Sequence, residues 1–307
     1  MTLKDRYEGA MLGLAIGDAL GVPVEFHERG GFEPVIDFQD SRLPAGHWSD
    51  DTAMALCLGE SLIEKKEFDP TDQIEKYLQW LRYGYCSSTG IAVGVGLTIL
   101  RSLSTYKKED GPYVTNTPRR SDGNGSLMRL APVPLYFHKN PVLAIDNAGL
   151  SSKTTHGSIL CSDACRYFSG LIIGALNGLS KEELLSPLYC PVKDYFNSNK
   201  LSTQIENVAL GSFKNKSEKE IRGSGYVVES LEAALWAFYN SESFEEGVLM
   251  AVNLGDDADT TGAIFGQLAG AYYGITRIPG RWVDSVAKRE EIIALATKLM
   301  ELSEAIY

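Results

Sequence analysis

Asn253-Leu254-Gly255-Asp256-Asp257-Ala258-Asp259-Thr260-Thr261 opens directly into an apolar run with Gly262, Gly266, Gly270 and Gly274 at every fourth position. Near the N-terminus Gly9, Gly13, Gly17 and Gly21 repeat the same spacing. At helical spacing each set lies on one slowly drifting stripe. A glycine inside a helix costs about 1 kcal/mol relative to alanine. Two such stripes therefore predict a compensating close approach of helix backbones. The expectation is two buried helices packed on each other, with the first brought beside the acidic stretch of the second.

Gly46-His47-Trp48-Ser49-Asp50-Asp51-Thr52 is a second acidic stretch, also followed by an apolar run and roughly two hundred positions from the first. Adjacent carboxylates such as Asp50 and Asp51, or Asp257 and Asp259, need a cation, a shared proton or solvent. Asp, Ser, Thr and water are oxygen ligands, suited to Mg²⁺ or Mn²⁺. Four aspartates would balance two divalent ions. Capping is the bland alternative, since Ser49 is a good N-cap and acids suit a first helical turn. Either reading accounts for one motif, whereas two of the same design favour metal. The later stretch is no EF-hand, because counting from Asp257 puts Leu268 where that loop needs Glu.

The rest of the chain reads as all-α and as one domain, 1–307. Helical periodicity covers 52–67, 72–82, 91–103, 141–154, 159–177, 226–239, 244–252 and 289–306. Strict period-two alternation is scarce. Two polar stretches interrupt: 104–123, with Lys107, Lys108, Arg119 and Arg120, and 181–225. Long loops often rim sites, but 181–219 reads rather as mobile surface.

Hydrophobic content of 44% is that of a globular protein. A net charge of -11 argues against an extended nucleic-acid face, which needs clustered Lys and Arg. Five cysteines without Cys-x-x-Cys make a poor disulfide framework and a poor zinc site. Buried thiols in a reducing cytoplasm are the expectation. Asp5, Glu8 and Asp18 interrupt the N-terminal apolar run, so it reads as mature structure and not as a signal peptide. No run reaches the roughly eighteen apolar residues of a membrane span.

Other stretches have chemical content but little specificity alone. Glu25 follows a Gly-Pro break and is free to reach a site as a general base; a solvated loop Glu is the plainer account. Asn124-Gly125-Ser126 is a turn that can form an anion nest or merely turn the chain. Arg129 could pair with a phosphate or a structural carboxylate. His156 could donate to a phosphate, or cap or pack. Tyr226 could stack on a base or pack. Nucleophile elbow, P-loop, complete Gly-x-Gly-x-x-Gly, His-Asp and His-Glu-x-x-His signatures are all absent from the sequence.

In order along the chain, Gly9 to Gly21, Ser49-Asp50-Asp51-Thr52, Asn124 to Arg129, Thr155-His156, Gly225 to Trp236 and Gly255 to Gly274 resemble the ADP-ribosylglycohydrolase family. That family includes the dinitrogenase-reductase-activating glycohydrolase. The resemblance implies an all-α helical bundle with a cleft for two Mg²⁺ or Mn²⁺ ions. By motif position it implies Ser49, Asp50, Asp51, Asp257, Asp259 and Thr260 as metal ligands, with Ser49 where Thr is usual. Glu25 matches the flap glutamate. His156 and Tyr226 match positions holding pyrophosphate and adenosine, and Thr98, Asn124, Gly125 and Ser126 would line the same pocket.

Two departures stand out. Gly94 and Leu97 occupy positions where many relatives have Asp and Asn, which weighs against an arginine-linked substrate. Asp256 replaces a common Gly and adds a negative charge. The implied activity is hydrolysis of the glycosidic bond between ADP-ribose and a protein side chain or other conjugate. The alternatives are an ADP-ribose-binding module without turnover, and a metal phosphohydrolase of nucleotide conjugates.

Overall fold

The computed structural model describes residues 1–115 and 121–306. Arg119 and Arg120 lie outside the described residues. Helices dominate; among the described residues an isolated antiparallel bridge between Gly123 and Tyr226 takes the place of any strand.

The two glycine helices, Leu3–Gly21 and Ala258–Tyr273, run antiparallel in direct backbone contact. A methyl group on Gly9 would sit 2.3 Å from the Gly270 carbonyl oxygen, one on Gly13 2.3 Å from that of Gly266, and one on Gly17 2.0 Å from that of Gly262. Gly21 ends the row against the backbone of Asp259. The stripe thus sets the register in which the C-terminal end of the first helix meets the N-terminal end of the second.

Val227–Asn240, Phe244–Val252 and Ile159–Leu176 pack on the second glycine helix. Arg289–Ile306 covers the first and also touches Asp50–Lys65. Ile159–Leu176 has the length and mean hydropathy, 1.4, of a membrane span, but 83% of it is buried inside the fold. It is a core helix. All five cysteines are free, three of them buried.

Helix positions follow the periodicity closely, with two corrections. The expected helix over 91–103 begins only at Leu97, because Gly90 and Gly94 adopt left-handed backbone conformations that stop a helix. The stretch 94–96 instead forms one lip of a cleft. The second correction concerns 181–219, expected as mobile surface. It carries Lys181–Leu184, Tyr195–Ser198 and Thr203–Ala209, and buries Leu184, Phe196, Ile205, Val208 and Phe213. Apolar anchors scattered singly between polar residues gave no periodic signal.

Candidate active site

Asp18 projects from the first glycine helix into the N-terminus of Asp50–Lys65. One of its oxygens accepts from the Ser49 N–H and Oγ, both at 2.9 Å. The other accepts from the Thr52 N–H at 3.1 Å and Oγ1 at 2.7 Å. The helix is therefore capped across the fold by Asp18. Ser49 sits at the N-cap but makes no side-chain capping bond, so capping does not explain it. Its hydroxyl instead lies 3.0 Å from Asp51 Oδ2 and 3.4 Å from Asp259 Oδ2.

The glycine register delivers the second acidic motif to the same place. Asp18, Asp51 and Asp259 each offer an oxygen within 4.8 Å of the others, and Glu25, Asp257 and Asp259 do the same. Asp259 belongs to both groups. Asp257 is held by the Asn124 amide at 2.6 Å and by its own N–H to the Gly223 carbonyl at 2.7 Å. The Thr260 N–H donates to Asp259 Oδ1 at 2.8 Å. Asp50 faces the cleft, and a methyl group on Gly94 would stand 2.3 Å from its Oδ1. An Asp at position 94 therefore has no room, which gives the departure a steric reason.

Glu25 is placed by its neighbours. The Phe26 N–H donates to the Asp256 carbonyl at 2.6 Å, and the Asp256 N–H returns a bond to the His27 carbonyl at 2.7 Å. Phe26 and Asp256 are both left-handed non-glycine residues, at φ 65 and 59. Such backbones cost of order 1–3 kcal/mol and mark functional sites. The Glu25 side chain is buried beside Asp257 and Asp259, and Arg42 pairs with it.

Six carboxylates in this space disfavour their own ionisation. Burial is the leading cause for all six, and mutual repulsion adds to it for all but Asp18. Asp257 is pushed up to about 7 and Glu25 to about 9. Asp50 and Asp51 rise well above the usual range, and Asp18 and Asp259 also rise. Asp51 Oδ1 is buried and receives no hydrogen bond. An orphaned buried carboxylate oxygen inside an all-oxygen donor set fits a hard divalent cation.

The cleft beyond these acids holds about 1000 Å³. Thr98, Asn124, Gly125, His156 and Tyr226 line it. Ser126 turns away: it is buried, and its hydroxyl bonds that of Ser152 at 2.8 Å. Gly125 must be small, because a methyl group there would lie 2.8 Å from Ile99 and 3.1 Å from the His156 ring. His156 is depressed to about 3, chiefly by burial and then by Arg129. Arg129 Nη2 donates to Thr155 Oγ1 at 2.6 Å, and that hydroxyl lies 2.8 Å from His156 Nδ1. With its acceptor side engaged by Arg129, the hydroxyl donates to Nδ1. The proton of the neutral ring then sits on Nε2, on the side of the Gly123 turn. Arg129 itself is fully buried and stacked on Tyr77 at 4.5 Å. Its role is to orient Thr155 and His156.

Two residues were missed by sequence reasoning. Asp18 carried one signal, an acid inside the otherwise apolar and glycine run 9–21, where an ionisable group is rarely buried without purpose. Arg42 carried none.

An all-helical chain with two acidic groups sharing one aspartate at the head of a deep cleft has the architecture of a metal-dependent hydrolase. The ADP-ribosylglycohydrolase family model matches residues 1–306. An "ADP-ribosylarginine hydrolase Tri1" of Serratia proteamaculans (strain 568) is 36% identical over 97% of this chain and 80% of its own length. The "ADP-ribosyl-[dinitrogen reductase] glycohydrolase" of Rhodospirillum rubrum is 30% identical over 94% of this chain and 93% of its own. A solved "ADP-ribosylglycohydrolase-related protein complex" superposes with a TM-score of 0.85 at 42% identity, covering 98% of this chain and 99% of that one. The chain belongs to the ADP-ribosylglycohydrolase family, and it is a hydrolase of ADP-ribose conjugates.

Proposed function

We propose that the protein removes ADP-ribose from arginine side chains, using two Mg²⁺ or Mn²⁺ ions held by Ser49, Asp50, Asp51, Asp257, Asp259 and Thr260, with Asp18 bracing the first group. The observation that carries the two-ion reading is Asp259, shared between two acidic triads. The arginine linkage is supported by the activity named for the Serratia relative. Gly94 does not outweigh it, because the lack of room beside Asp50 gives the glycine a steric reason of its own in this chain.

Divalent ions bound there would polarise water and the hydroxyls of the distal ribose. Glu25 is the group placed to take a proton from the attacking water, acting as the ionised carboxylate that Arg42 and bound cations would favour. The water oxygen bonds the anomeric carbon as the carbon–nitrogen bond to the guanidinium breaks, through an oxocarbenium-like transition state. The proton passes to the leaving nitrogen, so the products are ADP-ribose and unmodified arginine. His156 Nε2–H donates to the pyrophosphate, and burial favours its neutral form. Tyr226 and the 123–125 turn flank the adenosine end, joined to each other by the Asn124 N–H bond to the Gly225 carbonyl at 3.1 Å.

Peptides carrying ADP-ribose on arginine or on serine, incubated with Mg²⁺ or Mn²⁺, test this reading. Release of ADP-ribose from the arginine peptide, abolished in Asp257→Ala/Asp259→Ala, is expected. Equal turnover by that double variant rejects the assigned centre, and preference for the serine peptide rejects the linkage.

A further inference from the structure

Arg42 stands at the mouth of the carboxylate cluster with its Nη2 on Glu25 Oε2 and 3.3 Å from Asp259 Oδ2. Among the described residues it is the one Lys or Arg lining the cleft, and no other forms an ion pair with the six carboxylates. The guanidinium enters from solvent: its side chain is 35% exposed, against 7% for Glu25 and 2% for Asp259.

The loop that carries it is tied on both sides. Trp282 Nε1 donates to Asp37 Oδ1 at 2.8 Å, and the Ala287 N–H donates to the Gly46 carbonyl at 2.9 Å. Leu43, the next residue, is buried. Arg42 can therefore leave the cluster by rotating its own side chain, without movement of the loop backbone.

Resting on the two-ion reading above, we propose that Arg42 is a built-in cation that positions Glu25 against Asp259 and competes with a divalent ion for those two carboxylates. Glu25 and Asp259 belong to the same acidic triad. Oxygens that neutralise a guanidinium do not at the same time serve a close-coordinated divalent ion at full strength, because the two cations repel. Arg42 thus keeps the flap glutamate drawn onto the cluster until metal enters, and is released from Asp259 when it does.

The test uses the full chain after chelator treatment, titrated with Mn²⁺ by calorimetry, with melting measured in chelator and at saturating Mn²⁺. Arg42→Met keeps the length and removes the charge. The expected result is Mn²⁺ binding about tenfold tighter than wild type, the equivalent of one charge-assisted bond no longer competing. Melting should fall in chelator and match wild type at saturation. Arg42→Lys, which restores charge with poorer geometry, should give an affinity between the two. It serves as the measurement should Arg42→Met not fold, and wild-type affinity in the Lys variant would then overturn the proposal. Unchanged or weaker Mn²⁺ binding in Arg42→Met, beside normal wild-type binding, overturns the role of Arg42 alone. Equal loss of melting temperature with and without Mn²⁺ does the same, since the pair would then persist beside the ion. Failure of the wild type to take up Mn²⁺ overturns the two-ion reading as well.

Discussion

Gly17→Ala puts a methyl group 2.0 Å from the Gly262 carbonyl oxygen, 2.3 Å from its carbon and 2.9 Å from the Ala263 nitrogen. All three are backbone atoms, so no side chain can swing aside. Restoring an ordinary contact of 3.4 Å requires the helices to part by about 1.4 Å, the difference from 2.0 Å. Overpacking of this kind costs about 1–3 kcal/mol, and alanine returns up to about 1 kcal/mol of helix propensity. A net loss of up to about 2 kcal/mol lowers the melting temperature by up to roughly 3 °C in a chain of this size. The larger effect falls on metal. Asp18 follows Gly17 on one helix and Asp259 begins the other, whereas metal–ligand distances tolerate only about 0.2 Å. Mn²⁺ affinity and turnover should therefore collapse in a protein that remains folded. Thermal melting and Mn²⁺ calorimetry measure the two effects. Gly280→Ala, where a methyl group meets nothing within 4 Å, is the control and should change neither. Wild-type Mn²⁺ affinity in Gly17→Ala would refute the claim that this close approach sets the site.

Asp18→Asn replaces an oxygen that accepts two bonds with a donor facing donors, costing roughly 1–3 kcal/mol, and should weaken Mn²⁺ binding in calorimetry. Gly94→Ala places a methyl group 2.3 Å from Asp50 Oδ1 on a backbone at φ 84. It should reduce turnover by at least about tenfold, one coordination bond's worth, with the fold's circular dichroism retained. In chelator, Asp257 and Glu25 have folded values near 7 and 9, above their unfolded ones. Their contribution to stability is present below about pH 4 and is lost as pH rises through 7 to 9. Melting in chelator should thus be higher at mildly acidic than at alkaline pH, and saturating Mn²⁺ should remove that fall. His156 titrates in the opposite sense, its folded value near 3 lying below the unfolded one. Its share is present above about pH 6.5 and is lost by about 1.4 kcal/mol per pH unit as pH falls towards 3. Removing the group by His156→Gln should flatten that acid limb in melting curves.

The sequence by itself determined the two glycine helices, the acidic motifs at helix starts and the family whose motif order they share. Each of these is local: a period of four, a pair of carboxylates, a short turn. Periodicity names an element and the face it buries, and 244–252 and 289–306 match the observed helices to the residue. The tertiary structure alone decided what those faces meet. It gave Asp18 the capping duty that was the alternative reading of Ser49, because the glycine register set a carboxylate against that helix end. It turned Ser126 into the core and brought Arg42 from an unpatterned loop onto Glu25 and Asp259. No local pattern encodes a partner more than two hundred residues away. That choice is made by the packing of two backbones close enough to exclude a single methyl group.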